Sequence, residues 1–428
     1  MTLKRSNLSF ILHASLAAFG TYFCMYAFRK TFTVATFQGM EFLGVDYKIW
    51  LIIVQVLGYA LAKFVGIKVI SELRADRRLP LLIGLVLTGE LALVLFALVP
   101  TPYNIVFMFL NGFPLGMIWG IVFSYLEGRR FTDILGVVLC SSFIVSSGMV
   151  KSVGLWVMEN WGVDQFWMPS VTGALFFVPL LLCAFSLQRV PPPTEQDKGS
   201  RTERVPMDAM DRKKLVKKFF FPLLLTAIFY TFLTAFRDFR DNFARELWDS
   251  IGYRGDVSVF STSEIIIAVV VLLILGSMYN IKDNLKAFLT YHLMLLLGVL
   301  VLGVSTLLFQ MGQLDPYIWM VCTGFGLYIC YVPFNCLYFD RFIATFKIRG
   351  NSGFLIYIAD TFGYLGSMLV LLYKNFGQAN LSWLNFFIYG SYAVALVGLC
   401  ISLVLPIHFA ARYKTLQRER QLEYGQKI

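Results

Sequence analysis

Long apolar runs alternate with short polar breaks along the whole chain. The runs fall at residues 9–37, 47–70, 79–99, 103–127, 132–157, 166–188, 219–244, 257–280, 286–310, 315–340, 350–373 and 383–410. Most reach or exceed the about 20 residues a helix needs to cross a bilayer core. They lack period-2 alternation and are too long for barrel strands. The pattern therefore predicts an all-α membrane protein with twelve transmembrane helices in two six-helix bundles. The one long polar insert, Arg189–Lys218, opens with Pro191, Pro192 and Pro193 and reads as an exposed linker. The expected organisation is an N-terminal bundle at 1–188, a cytoplasmic linker at 189–218, a C-terminal bundle at 219–411 and a basic tail at 412–428.

Composition agrees with the pattern. Of 428 residues, 58% are hydrophobic and only 15% charged, against about 25% charged in a soluble domain. The net charge of +11 does not point to nucleic acid. Of 37 Lys and Arg, 26 fall on one side of the predicted spans, including nine in the linker and five in the tail. That bias orients the chain with both termini in the cytoplasm, as an integral protein of the cytoplasmic (inner) membrane. The first apolar run follows Lys4 and Arg5 but extends well beyond a signal-peptide core. All seven cysteines lie in apolar runs without a Cys-x-x-Cys pair, and His13, His292 and His408 are scattered. No metal or cofactor is expected. The expected partners are the lipid bilayer and a small anion, with no nucleic acid, and the chain is expected to be a monomer.

Charge inside the apolar runs carries the chemistry. Arg29, in the first run, follows Ala27-Phe28 with Tyr22 seven residues upstream; Arg237, in the seventh, follows Ala235-Phe236 with Tyr230 seven upstream. A guanidinium at bilayer depth costs a few kcal/mol or more and usually faces a bundle interior or a watery cavity. Arg binds a carboxylate or phosphate through two parallel hydrogen bonds, and Lys adds a point charge. Arg29, Lys63, Arg237 and Lys151, with the hydroxyls of Tyr26 and Tyr230, form the candidate substrate site. For Lys30, Lys151 and Arg240, snorkelling to the interface is the competing reading. Asp241 stands four residues after Arg237, so a local ion pair is the main rival to ligand binding there. Asp360, Asp241 and Glu264 are candidate proton- or ion-coupling carboxylates, with Glu264 expected nearer the outer surface. Glu127, Arg129 and Arg130 end the fourth run, and Asp340 and Arg341 end the tenth. These equivalent places suggest a cytoplasmic gate. The Gly112, Gly116, Gly120 stripe reads as helix packing, and Pro114 and Pro333 as bends.

Three stretches resemble the major facilitator superfamily, and within it the organophosphate:inorganic phosphate antiporters (the glycerol-3-phosphate and hexose-phosphate transporters). Tyr26-Ala-Phe-Arg29-Lys30-Thr-Phe32 resembles that family's Tyr-x-x-Arg-Lys-x-Phe in helix 1. Gly58-Tyr59-Ala-Leu-Ala-Lys63-Phe64 resembles its Tyr-Gly-x-x-Lys-Phe in helix 2. Phe362-Gly363-Tyr364-Leu365-Gly366 is similar to its Phe-Gly-Tyr-Leu-Gly in helix 11. The resemblance implies that Arg29 contacts a substrate phosphate, that Lys63 belongs to the site, and that Arg237 is the second phosphate-binding arginine. Two departures stand out. Phe143 occupies the place of the family's helix-5 histidine, with Lys151 further along, and the loop Ser71–Arg78 is degenerate. The expected function is secondary transport of a small organic anion, phosphorylated metabolites included. The alternative is a membrane-embedded sensor that binds such an anion without moving it. An enzyme is not expected, because no nucleophile–base pair, metal cluster or phosphate loop has usable spacing.

Overall fold

The computed structural model describes residues 5–425 apart from 72, 127–128, 130, 193, 195–208, 282, 349–351 and 379. Its first half contains α1 (Arg5–Lys30), α2 (Tyr47–Ser71), α3 (Arg78–Leu98), α4 (Ile105–Leu115), α5 (Ile118–Leu126), α6 (Thr132–Trp161) and α7 (Met168–Gln188). The second half contains α8 (Ala209–Lys218), α9 (Phe220–Asn242), α10 (Ala244–Ser250), α11 (Ser258–Ser277), α12 (Asn284–Gln310), α13 (Pro316–Cys336), α14 (Tyr338–Phe346), α15 (Ser352–Leu372) and α16 (Trp383–Gly425). A two-stranded antiparallel hairpin, Glu41–Phe42 with Val45–Asp46, caps the turn between α1 and α2.

Twelve helical spans among the described residues are long and apolar enough to cross a membrane. Leucines such as Leu16, Leu182, Leu273 and Leu396 point outward and stay exposed, which suits lipid and not water. The chain is an integral membrane protein of two six-helix bundles. An even number of spans puts both ends on one face, called here the terminus side.

The fourth and tenth spans each come in two pieces. Pro114 lies near the end of α4 and Pro333 near the end of α13, and each helix breaks two to four residues later. Proline removes one N–H from the helical ladder and clashes with the preceding turn. The first span also differs from the unbroken run at 9–37. Its α-helix stops at Lys30 and tightens into a 3-10 turn over Thr31–Val34. Arg29 therefore sits in the last turn of α1 and not near its middle.

Glycine sets the closest helix approaches. Within the first bundle, a Cβ at Gly112 would lie 2.2 Å from the carbonyl oxygen of Gln55, so α2 and α4 meet backbone to backbone. Between the bundles, the seam runs along α6 and α11. There a Cβ at Gly148 would stand 2.1 Å from the Phe260 carbonyl oxygen and 2.8 Å from Cγ of Glu264. Next along the seam, Ser152 Oγ donates to the Val257 carbonyl at 2.6 Å. Gly148→Ala has to push α6 off α11, an overpacking strain of about 1–3 kcal/mol. Disulfide cross-linking of Ser152→Cys to Val257→Cys is expected to fall severalfold when Gly148→Ala is added. Undiminished cross-linking would show that the seam accommodates a methyl group.

Candidate functional site

The seams between the bundles enclose a buried cavity whose charged lining comes from both halves. Arg29 reaches it from α1. Its side chain is buried and forms no ion pair among the described residues. Cζ lies 3.6 Å from the ring centroid of Tyr59 and 5.9 Å from that of Tyr26, and Nε has no hydrogen-bond partner. Two features offset this uncompensated charge. The Tyr59 π-face contributes on the order of 1–2 kcal/mol at a desolvated site. The C-terminal end of α1, where helix dipoles sum to a partial negative charge, contributes up to about 2 kcal/mol.

Arg237 reaches the same cavity from α9 in the other bundle. Its Nη2 pairs with Oδ1 of Asp238 at 2.7 Å, and Cζ stacks 4.2 Å from the Tyr331 ring centroid. Asp238 Oδ2 accepts a second bond from Ser367 Oγ of α15 at 2.9 Å. The i,i+4 pair between Arg237 and Asp241 is not formed; the adjacent Asp238 takes its place. Lys63 of α2 faces Asp360 of α15, with Nζ 3.9 Å from Oδ2, at the outer limit for an ion pair. Tyr230 donates its hydroxyl to Asp360 Oδ1 at 2.5 Å. Tyr26 also lines the cavity, while Tyr230 acts through Asp360.

Among the lining side chains, Arg29, Lys30, Lys63 and Arg237 stand against Asp238 and Asp360. Four cations against two carboxylates leave the cavity positive, and Tyr22, Tyr59, Trp119, Phe143 and Tyr364 complete its walls. The cavity has room for only a few waters.

This architecture is shared with transporters of known structure. The D-xylose–proton symporter superposes with a TM-score of 0.60 at 15% identity, over 93% of this chain and 97% of that one. The proton:xylose symporter XylE of the major facilitator superfamily, bound to 6-bromo-6-deoxy-D-glucose, gives 0.60 at 15%, over 93% and 95%. The nucleoside transporter NupG gives 0.57 at 16%, over 94% and 99%. At such identities the likeness establishes the fold, which is that of the major facilitator superfamily. No curated protein matches the sequence. Residues 31–412 match the family described as a family of unknown function, DUF5690. The chain belongs to DUF5690.

The remaining buried charges of this DUF5690 protein correct several expectations. Lys30, Lys151 and Arg240 do not snorkel; all three are buried and ion-paired. Asp241 of α9 holds two lysines of the opposite bundle at once. Lys30 Nζ lies 2.7 Å from its Oδ2, and Lys151 of α6 bonds its Oδ1 together with Ser147. Lys151 is thus committed to Asp241 and does not line the cavity. Lys30 does line it, although neighbouring side chains on a helix diverge by about 100°; it reaches sideways to Asp241 and to Asn242 Oδ1 at 2.8 Å. Glu264, about two turns into α11, is buried and pairs with Arg240 at 2.5 Å, away from the cavity lining.

Of the expected gate residues, Glu127 and Arg130 lie outside the described residues. Arg129 donates to the Tyr125 carbonyl at 3.0 Å, within its own half, and to that of Pro191 in the linker. Arg341 donates to Asn284 Oδ1 at 2.7 Å, again within its own half, and Asp340 forms no ion pair among the described residues. Among the described residues, the ionic contacts that join the bundles are Lys30 and Lys151 with Asp241, Lys63 with Asp360, and Lys48 with Glu246 at 2.5 Å. This last pair, on the side opposite the termini, joins α2 to α10. Burial pushes the Glu246 carboxyl above its usual range, with Lys48 pulling the other way.

Sequence reasoning overlooked the roles of Asp238, Tyr59 and the Lys48–Glu246 pair. Asp238 is adjacent to Arg237, a spacing that does not place two side chains on one helix face, so the i+4 rule favoured Asp241. Tyr59 was visible beside Gly58, but nothing in a linear sequence says that its ring lies under Arg29. Lys48 and Glu246 are nearly 200 residues apart, joined only by the packing of the two halves.

Proposed function

We propose that this protein is a secondary transporter that carries a small organic anion, phosphorylated metabolites among the candidates, across the cytoplasmic membrane by alternating access, with both termini cytoplasmic. One observation carries the reading: among the described residues, Arg29 is buried without a carboxylate partner, in a cavity whose lining has cations in excess. An anion bound there supplies the missing partner. Because Arg29 and Arg237 come from opposite bundles, a bridging anion draws the halves together. The small cavity has to widen to admit a metabolite, as rocking of the bundles about a central site would allow. The transport activities named for the D-xylose–proton symporter and NupG support movement of the ligand over mere binding.

Coupling is assigned to the Lys63–Asp360 pair. An anion that engages Lys63 competes with Asp360 for it. The Asp360 carboxylate set free by this exchange is the group we assign to proton coupling. Asp360→Asn is expected to leave anion exchange between loaded liposomes intact while abolishing acceleration by an inward proton gradient. Gradient-driven uptake at the wild-type rate in that variant would remove Asp360 from coupling.

The function itself is tested in two steps on purified protein. Thermal stabilisation by a panel of phosphate esters, sulfonates and carboxylates identifies a ligand. Uptake of that ligand into proteoliposomes is then measured. Flux supports the transporter; binding without flux makes the protein a sensor.

A further inference from the structure

The end of α1 is held in place by an unusual set of acceptors and donors. The last four carbonyls of an α-helix lack an in-register N–H. Inside a bilayer, water does not supply the missing donors, and an unmet backbone group is expensive. In α1 the last four carbonyls belong to Ala27, Phe28, Arg29 and Lys30; the 3-10 turn at Thr31–Val34 supplies backbone donors from Lys30 onward, and each of the four also receives a side-chain hydrogen bond. Two donors are local: Thr31 Oγ1 to Ala27 at 2.6 Å and Thr33 Oγ1 to Lys30 at 2.7 Å. The other two come from different helices. Asn111 Nδ2 of α4 donates to the Phe28 carbonyl at 2.9 Å, and Gln55 Nε2 of α2 donates to the Arg29 carbonyl at 2.8 Å.

Those two amides are themselves fixed. Gln55 Nε2 also donates to Asn111 Oδ1 at 2.8 Å, and Asn111 Nδ2 also donates to the Gly89 carbonyl of α3 at 3.0 Å. Both side chains are buried to within 3% of complete exclusion. Gly112, next to Asn111, lets α4 approach close enough for the contact, since a Cβ there would collide with the Gln55 backbone. Two helices, α2 and α4, thus donate to the main chain at the end of α1, with α3 holding Asn111, beside the one lining arginine that has no acidic partner among the described residues.

Building on the anion-binding reading, we propose that Gln55 and Asn111 are positioning residues for Arg29. An arginine tied to an acid is oriented by that acid, as Arg237 is by Asp238. Arg29 has only a stacked ring under its guanidinium, so its direction is set at the backbone. The amide brace fixes where the side chain leaves α1, and Tyr59 then catches the guanidinium from below. The brace acts on substrate through Arg29 and touches no ligand itself.

The test uses full-length protein in nanodiscs, with Gln55→Leu and Asn111→Leu, which remove the donors and keep bulk. Hydrogen–deuterium exchange of the amides at Thr31–Ala35 is expected to accelerate about tenfold while other spans keep their protection. Binding of inorganic phosphate, read by the fluorescence of the cavity tryptophan Trp119, is expected to weaken about tenfold. In an Arg29→Gln background the same variants should weaken it no further. Equal weakening in both backgrounds, or unchanged exchange at Thr31–Ala35, overturns the proposal. If Asn111→Leu does not fold, Gln55→Leu alone carries both measurements. If wild-type protein shows no response to phosphate, phosphate binding at this site fails as a reading, and the exchange data still decide whether the brace holds the end of α1.

Discussion

Arg29→Ala is expected to lower anion uptake by about a hundredfold or more while leaving the melting temperature unchanged or slightly raised. The functional loss follows from removing one side of a desolvated charge pair with the substrate, a truncation that costs about 2–5 kcal/mol. Stability responds differently because no acid among the described residues depends on Arg29. Burying its charge costs a few kcal/mol. The Tyr59 face and the C-terminal dipole of α1 return a comparable amount. The balance is near zero, so deletion leaves the fold nearly as stable as before. Arg237→Ala separates from it in the second measurement. Asp238 would lose its guanidinium and keep only Ser367, and breaking a buried pair on one side costs about 3–5 kcal/mol. Arg237→Ala should therefore lose both uptake and stability, and adding Asp238→Asn should restore the melting temperature without restoring uptake. Wild-type flux in either single variant would end the two-arginine clamp. A large loss of stability in Arg29→Ala would mean that a hidden acid partners it.

Much of this protein was readable along the chain. Hydrophobic periodicity and the break at Arg189–Lys218 are local signals, and they specify twelve spans in two bundles because a bilayer admits so few alternatives. The cavity cations were readable for the same reason: an arginine in an apolar run needs an explanation wherever it packs. The pairings were not readable. Arg237 chose Asp238 over Asp241, and Asp241 went to Lys30 and Lys151 of the other bundle. Which base Asp241 meets depends on how the two halves pack together. Neither helical spacing nor the positive-inside rule contains that information. The place where α1 ends was likewise hidden: Thr31–Val34 is as apolar as the helix before it, and the stop is stabilised by Gln55 and Asn111 from afar.

Asp241→Asn is expected to open the seam on the side opposite the termini. One carboxylate there is paired with two ammonium groups, and both belong to the other bundle. Without it, Lys30 keeps Asn242 Oδ1, and Lys151 keeps Ser147 and a backbone carbonyl, but neither retains a counter-charge. Leaving such charges buried costs about 3–5 kcal/mol. Separation of α6 from α11 lets water reach both lysines and removes most of that cost. The same energy applied to a two-state equilibrium shifts it by a factor on the order of 10²–10³, enough to make an open form dominant from a minority of about 1%. Alkylation of Ser152→Cys by a membrane-impermeant maleimide reads this directly, since Ser152 is buried in the seam beside Val257. Its rate is expected to rise about a hundredfold in Asp241→Asn. Adding Lys30→Met and Lys151→Met removes the stranded charges and should return labelling to the slow rate. If Asp241→Asn labels no faster and melts at the wild-type temperature, the two lysines do not depend on that carboxylate, and closure of the seam rests on the glycine contact at Gly148 and on Lys48–Glu246 instead.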